Sequence, residues 1–142
     1  MPEKKTIERA QEDAREGKAP STQAGEFVRE EMDHIRQGKH GARSTKQAIA
    51  IGLSKARRAG VPLAPPKEGQ PSESTRKQAA RDYVKGQSGA GKKRPSAKRS
   101  RAVSAALQRE GRSAASHKAL SQQAHRAALK RKKSASSRRK AA

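Results

Sequence analysis

The chain has 142 residues, of which 35 are Lys or Arg and 13 are Asp or Glu, a formal net charge of +22. It has no cysteine, which excludes disulfides, thiolate zinc sites and thiol nucleophiles. Only 30% of the residues are hydrophobic, many of them alanine, too few large side chains for one core filling the whole length.

Met1 to Lys5 opens a mixed-charge stretch with no apolar run, unlike a secretory signal, and its acidic residues are unlike a mitochondrial transit peptide. Thr6 to Glu16 reads as a weak, solvated helix with Ile7 as its only large anchor and Gly17 as its stop. Lys18-Ala19-Pro20 breaks it, so residues 1–20 form a polar, weakly helical segment. Ser21 then begins a stronger helix, which Gly38 ends at the C′ position. Ala24, Phe27, Val28, Met32 and Ile35 fall within an arc of ~140° on it, opposite Arg29, Glu30, Asp33 and Arg36.

A short basic loop leads to Ser44-Thr45-Lys46-Gln47, a capping box in which the Ser hydroxyl and the Gln amide each satisfy a free backbone N–H. The next helix runs from about Thr45 to Ala59. Gly60 caps it, Val61 is placed for the hydrophobic contact that follows such a cap, and Pro62 prevents continuation. Ile49, Leu53 and Ala56 form its expected seam, flanked by Ala48 and Gly52, with Leu53 buried against Phe27, Val28 and Ile35. The pattern predicts a helical hairpin over 21–63. A core of about eight large side chains is marginal alone, which points to a partner or to self-association through the hairpin.

Residues 64–73 read as a Pro-rich linker. The stretch 74–142 is rich in Lys, Arg, Ser and Ala. Its large apolar residues are Tyr83, Val84, Val103, Leu107, Leu120 and Leu129. These do not offset a backbone ordering cost of ~1–2 kcal/mol per residue, so the region is expected to be largely disordered or conditionally helical. Its helical signals begin with Ser74-Thr75-Arg76-Lys77-Gln78, which echoes the earlier capping box and opens a short helix to Lys85. Gly86 to Pro95 reads as a flexible basic joint. Ser96 caps a helix through Val103 and Leu107 to Glu110, stopped by Gly111, and Ser113 to Lys133 forms another. The expected fold class is all-α: a small N-terminal hairpin followed by a long basic region.

Two stretches carry a resemblance. Thr22-Gln-Ala-Gly-Glu-Phe-Val-Arg-Glu-Glu-Met32 and Ile35 through Lys46-Gln-Ala-Ile-Ala-Ile-Gly-Leu-Ser-Lys-Ala-Arg-Arg-Ala-Gly60 resemble a family of small, strongly basic bacterial proteins of unassigned function. The similarity covers about residues 1–63, and Arg109 to Leu120 is similar to the tail of such proteins. The resemblance implies a bacterial, soluble, helical protein and brings no catalytic residues.

Gly86-Gln-Ser-Gly-Ala-Gly91-Lys92-Lys93 approaches a phosphate-binding loop but has Lys where the magnesium-holding hydroxyl belongs, and no strand precedes it. Glu31-x-x-His34 has the spacing of a helical carboxylate–imidazole metal pair. A di-metal bundle needs a second such pair, so His34 is read as part of the hairpin's polar border near Glu30. His40 reads as a hydrated loop residue, and His117 and His125 as incidental. None of the fifteen serines stands in a nucleophile-elbow context. No catalytic residue, metal site, cofactor or small-molecule substrate is expected.

The basic clusters carry the functional signal. Residues 1–66 hold 13 basic and 9 acidic side chains, residues 67–142 hold 22 and 4. So large an uncompensated charge calls for a polyanion. The expected phosphate contacts are Lys92, Lys93, Arg94, Lys98, Arg99, Arg101, Lys130, Arg131, Lys132, Lys133, Arg138, Arg139 and Lys140. A secondary patch is expected at Arg43, Lys46, Lys55, Arg57 and Arg58. Phe27 and Tyr83 are the only aromatics, which disfavours single-strand platforms built on stacking. The expectation is therefore non-sequence-specific nucleic-acid binding, with DNA favoured over RNA, in a cytoplasmic, nucleoid-associated or linker-histone-like role. The alternatives are an RNA- or ribosome-associated protein and a protein-interaction adaptor using the hairpin. Anionic membrane surfaces are disfavoured because the basic helices lack a Trp/Phe/Leu face, and the longest apolar run, Ala48 to Leu53, is far short of the ~20 residues of a membrane span.

Overall fold

The computed structural model describes residues 1–67, 71–89 and 96–141, the last without its side chain. Every regular element among them is helical, in accord with the all-α expectation. The first three helices are α1 (Lys4–Arg15), α2 (Pro20–Arg36) and α3 (Thr45–Arg58). Pro20 opens α2, where its missing N–H would have had no intrahelical partner. Ser44 Oγ accepts from Gln47 N at 3.2 Å, and Gln47 Oε1 accepts from Arg43 N at 2.8 Å. The capping box is thus present, with the amide reaching one residue further back than the standard motif. Gly38 and Gly60 stand at φ +75° and +98°, where any other residue is strained. At each, the two backbone bonds of a Schellman turn close the helix: Gly38 N to Ile35 O with Lys39 N to His34 O, and Gly60 N to Arg57 O with Val61 N to Ala56 O.

α2 is the central helix, with α1 and α3 packed against it. The segment expected to be a solvated helix is part of the core. Thr6 and Ala10, one turn apart, are buried. Ala10 joins Ala24, Phe27, Ala56 and Val61 in one apolar cluster, flanked by Ile7, Leu53 and Leu63. A second cluster holds Met32, Ile35, Ala42, Ala48, Ala114 and Ala115, flanked by Val28, Ile49 and Leu120. Leu53 therefore packs with Phe27, while Val28 and Ile35 belong to the other cluster. In the seam of α3, Ala56 is buried as expected, but the other expected members exchange places with their neighbours. Its buried stripe is Thr45, Ala48, Gly52 and Ala56, and the larger Ile49 and Leu53 lie half-buried at the margins. A Cβ on Gly52 would stand 2.7 Å from Val28 Cα. Helices that close leave room only for small side chains between them.

The chief correction concerns the C-terminal half. It contains no long disordered basic region among the described residues. It forms α4 (Glu73–Gln87), α5 (Ala97–Gln108), a 3-10 turn at Ser113–Ala115 and α6 (His117–Ala141). Three local causes act together. Ser72, Ser96 and Ser116 each accept a backbone N–H three residues on, from Thr75, Arg99 and Ala119. Ala, Lys, Arg and Gln, which fill these helices, are the best helix formers. Repulsion between like charges one turn apart costs only ~0.2–0.5 kcal/mol per pair.

Tertiary anchors complete the picture, and they use alanine and backbone where the sequence reading looked for large side chains. Ala79 of α4 and Ala114 and Ala115 of the 3-10 turn are buried. Thr45 Oγ1 donates to Ala114 O at 2.7 Å and Arg36 Nε to Ala115 O at 3.0 Å. The loop before α3 is tied to the α5–α6 connection by Gly41 N to Leu107 O at 2.8 Å and Ala42 N to Gly111 O at 3.0 Å. α4 lies on α3, fixed by the buried Asp82, which accepts from Ser54 Oγ and pairs with Arg58 Nε at 3.0 Å. The apolar face of the hairpin, which in the sequence called for a partner, is covered by elements of the same chain.

Candidate nucleic-acid interface

The expected phosphate contacts divide into three groups. Lys92, Lys93 and Arg94 lie outside the described residues, as does most of the Gly-rich stretch that holds them. Lys98, Arg99 and Arg101 are exposed in the first turns of α5. Lys130 to Lys133 and Arg138 to Lys140 are exposed along the second half of α6. α6 has 25 residues, a rod of ~37 Å. It carries nine Lys or Arg, namely Lys118, Arg126 and the seven just cited, and no Asp or Glu. Among the described residues no basic side chain of α5 or α6 belongs to an ion pair.

Several of the acidic residues are occupied elsewhere. Lys18 bonds both Asp13 and Glu16 at 2.7 Å, and these bonds raise its pKa. Glu3 accepts from His34 Nε2 at 2.9 Å and from Lys39 Nζ at 3.2 Å, and both bonds, His34 first, hold its carboxyl below the ordinary value. Glu30 and Glu31, which the hairpin pattern left on or near the polar face, are buried, because the N-terminus and α3 both cover them. Glu30 Oε2 accepts from Glu3 N at 3.1 Å, and Lys55 Nζ stands 2.6 Å from Glu31 Oε2.

The expected secondary patch is not one surface. Arg43 and Lys46 are exposed. Lys55 is held between Glu30 and Glu31. Arg58 is bound by Asp82 and Ser54. Arg57 is buried, donating Nε to Leu63 O at 3.2 Å and Nη2 to Ala64 O at 3.4 Å, so that it fastens the chain leaving α3. Burial pushes its pKa down, partly opposed by the charge of Asp82. Arg57→Ala should therefore lower unfolding free energy by about 1–3 kcal/mol in urea denaturation, while Arg43→Ala should change it by less than about 0.5 kcal/mol.

Sequence reasoning found the exposed basic residues because a charge run without nearby acids has few places to go. It missed that Arg57 and Lys55 serve the interior. The only local signal was their position on α3 facing Val61-Pro62-Leu63 and Glu30-Glu31. It also missed that His40 joins Glu31 and His34, since the loop's return depends on contacts with residues 107–111.

These features define, among the described residues, an all-helical protein with a folded three-helix centre and basic helices α5 and α6 whose charge no ion pair compensates. A model of a family of unknown function (DUF6496) matches residues 4–68, which takes in α1, α2 and α3. No curated protein matches the chain. No solved structure matches it either. No helix among the described residues is long and apolar enough to cross a membrane.

Proposed function

We propose that the protein binds nucleic acid, duplex DNA in preference to RNA, through phosphate contacts made by α5 and α6, with little sequence preference. The role is nucleoid-associated and linker-histone-like, in a bacterial cytoplasm. The observation that carries the reading is α6, with its nine Lys or Arg and no acidic residue. A duplex presents a negative charge every ~1.7 Å of axis, and neutralising it releases condensed counterions. A preformed helix brings such charges together without a further ordering cost at the moment of binding. Little sequence preference is expected because the seven basic residues at the end of α6 meet phosphate, and phosphate contacts carry no direct sequence information.

Fluorescence anisotropy with a labelled duplex tests this. A scrambled duplex of equal length should compete within about a factor of three of any natural fragment, since the term is sequence-independent. Competition by one sequence alone would contradict the reading. Competition by RNA at far lower concentration than duplex DNA would favour the ribosome-associated alternative. Partners retained in a pull-down after nuclease treatment would favour the adaptor.

A further inference from the structure

We propose that Glu31, His34 and His40 form a binding site for one divalent first-row transition ion of the zinc type. Their ligand atoms lie within 4.8 Å of one another. Glu31 and His34 are one turn apart on α2, and His40 returns from the loop beyond the Gly38 turn. Two imidazoles and one carboxylate are a donor set that suits zinc and its neighbours.

His40 carries the argument. Both of its ring nitrogens face oxygen acceptors. Nδ1 is 3.0 Å from Gly41 O, and Nε2 is 2.9 Å from Glu31 Oε1. A carbonyl and a carboxylate only accept, and a neutral imidazole has one N–H. With Glu31 present as a carboxylate, one of the two contacts needs a cation: a second proton on the ring, or a metal ion between Nε2 and Oε1. The second arrangement reproduces a known ligand pattern, in which a metal-bound histidine donates its other N–H to a backbone carbonyl or carboxylate. His34 has such a support as well, with Nε2 2.9 Å from Glu3 Oε1.

Glu31 is suited to the role. It is 1% exposed, and its Oε2 has no hydrogen-bond partner, although Lys55 Nζ stands 2.6 Å away as an ion pair. Lys55 thus balances one oxygen, leaving Oε1 for the ion. The remaining charged groups around the cluster are Glu30 near Lys55 and Lys39 on Glu3. With bonds of ~2.0–2.2 Å, tetrahedral ligands stand about 3.4 Å apart, so side-chain rotation closes the set. His34 also lines a cleft between α1 and α2, together with Glu3, Arg9, Glu26 and Glu30. The bound ion would clip the 38–42 loop to α2, and that loop holds the α5–α6 connection through Gly41 and Ala42. The site is independent of the proposed DNA binding.

The test is titration of the chelator-treated full chain with zinc chloride alone near neutral pH, by calorimetry and by NMR of the histidine ring nitrogens. The chain has four histidines, so the double variant His117→Gln/His125→Gln removes the two on α6 as adventitious ligands. The expected result is one ion per chain in both the wild type and that variant. His34 and His40 ring resonances should shift, and the thermal midpoint should rise. His40→Gln should weaken affinity by more than the about 10–100-fold that loss of an outer-shell partner costs, with helicity retained in circular dichroism. If that variant unfolds, the wild-type ring resonances decide. Absent binding, binding lost with His117 and His125, or a His40 ring that stays doubly protonated against Glu31 at saturating zinc would each overturn the proposal.

Discussion

Gly52→Ala should lower the unfolding free energy by about 1–3 kcal/mol, although it adds a better helix former to the middle of a helix. A Cβ at this position meets Val28 Cα at 2.7 Å, Val28 Cγ2 at 2.9 Å and Val28 N at 3.0 Å. Two of these are backbone atoms, which no rotamer change moves aside. α2 and α3 would have to separate, and the small residues between them, Ala48, Gly52 and Ala56, would lose contact along the stripe. The gain in helix propensity, about 0.5–1 kcal/mol, does not cover that loss. Gly25→Ala is the control of opposite sign. Gly25 is exposed within α2 and nothing stands within 4 Å of its would-be Cβ, so the same change should stabilise by about 0.5–1 kcal/mol. Urea denaturation of the two variants beside the wild type decides. Equal stability of Gly52→Ala and wild type would mean that the helices are not packed backbone to backbone.

How much of this architecture the sequence disclosed depends on the range of the interaction. Ser44, Ser96, Gly38 and Gly60 act on residues within one turn, and each cap was legible. So were the approximate limits of α2, α3 and α5. Ala114 and Ala115 were not, because small residues in a polar stretch carry no periodic signal and their burial depends on Thr45 and Arg36, some seventy to eighty positions earlier. Judging the C-terminal half by its large apolar side chains alone left out buried alanines and backbone bonds, and so turned three helices into a region expected to be largely disordered or only conditionally helical. Charged residues failed in the opposite direction. Glu30, Glu31, Arg57 and Asp82 look like surface residues in a helical pattern, yet each is buried because an adjoining element brings it a partner. The exposed basic residues of α5 and α6 were legible because nothing nearby neutralises them.

The second large effect is expected in α6. Replacing Lys130, Arg131, Lys132, Lys133, Arg138, Arg139 and Lys140 together by Gln should abolish most duplex affinity and leave the fold intact. All seven are exposed, so no core contact is lost. Gln keeps helix propensity close to that of Lys and Arg. Substitution is a cleaner test than truncation, because removing the C-terminal half would also take Ala114 and Ala115 from the core and Asp82 from α3. Neutralising Arg43 and Lys46 instead should cost less affinity, since they offer two charges against seven. Loss of helicity in the Gln variant would show that α6 needs its charge for folding. Unchanged affinity with intact helicity would move the binding surface elsewhere.

The most direct measurement is filter binding of the full chain to a duplex across a salt series. Each neutralised phosphate contributes about −0.9 to the slope of log K against log salt, so the seven residues at the end of α6 contribute about −6, to which contacts from α5 add. The Gln variant should flatten that slope by about the same amount. A wild-type slope near zero would contradict the account, because it would mean that the uncompensated charge of α5 and α6 does not meet phosphate.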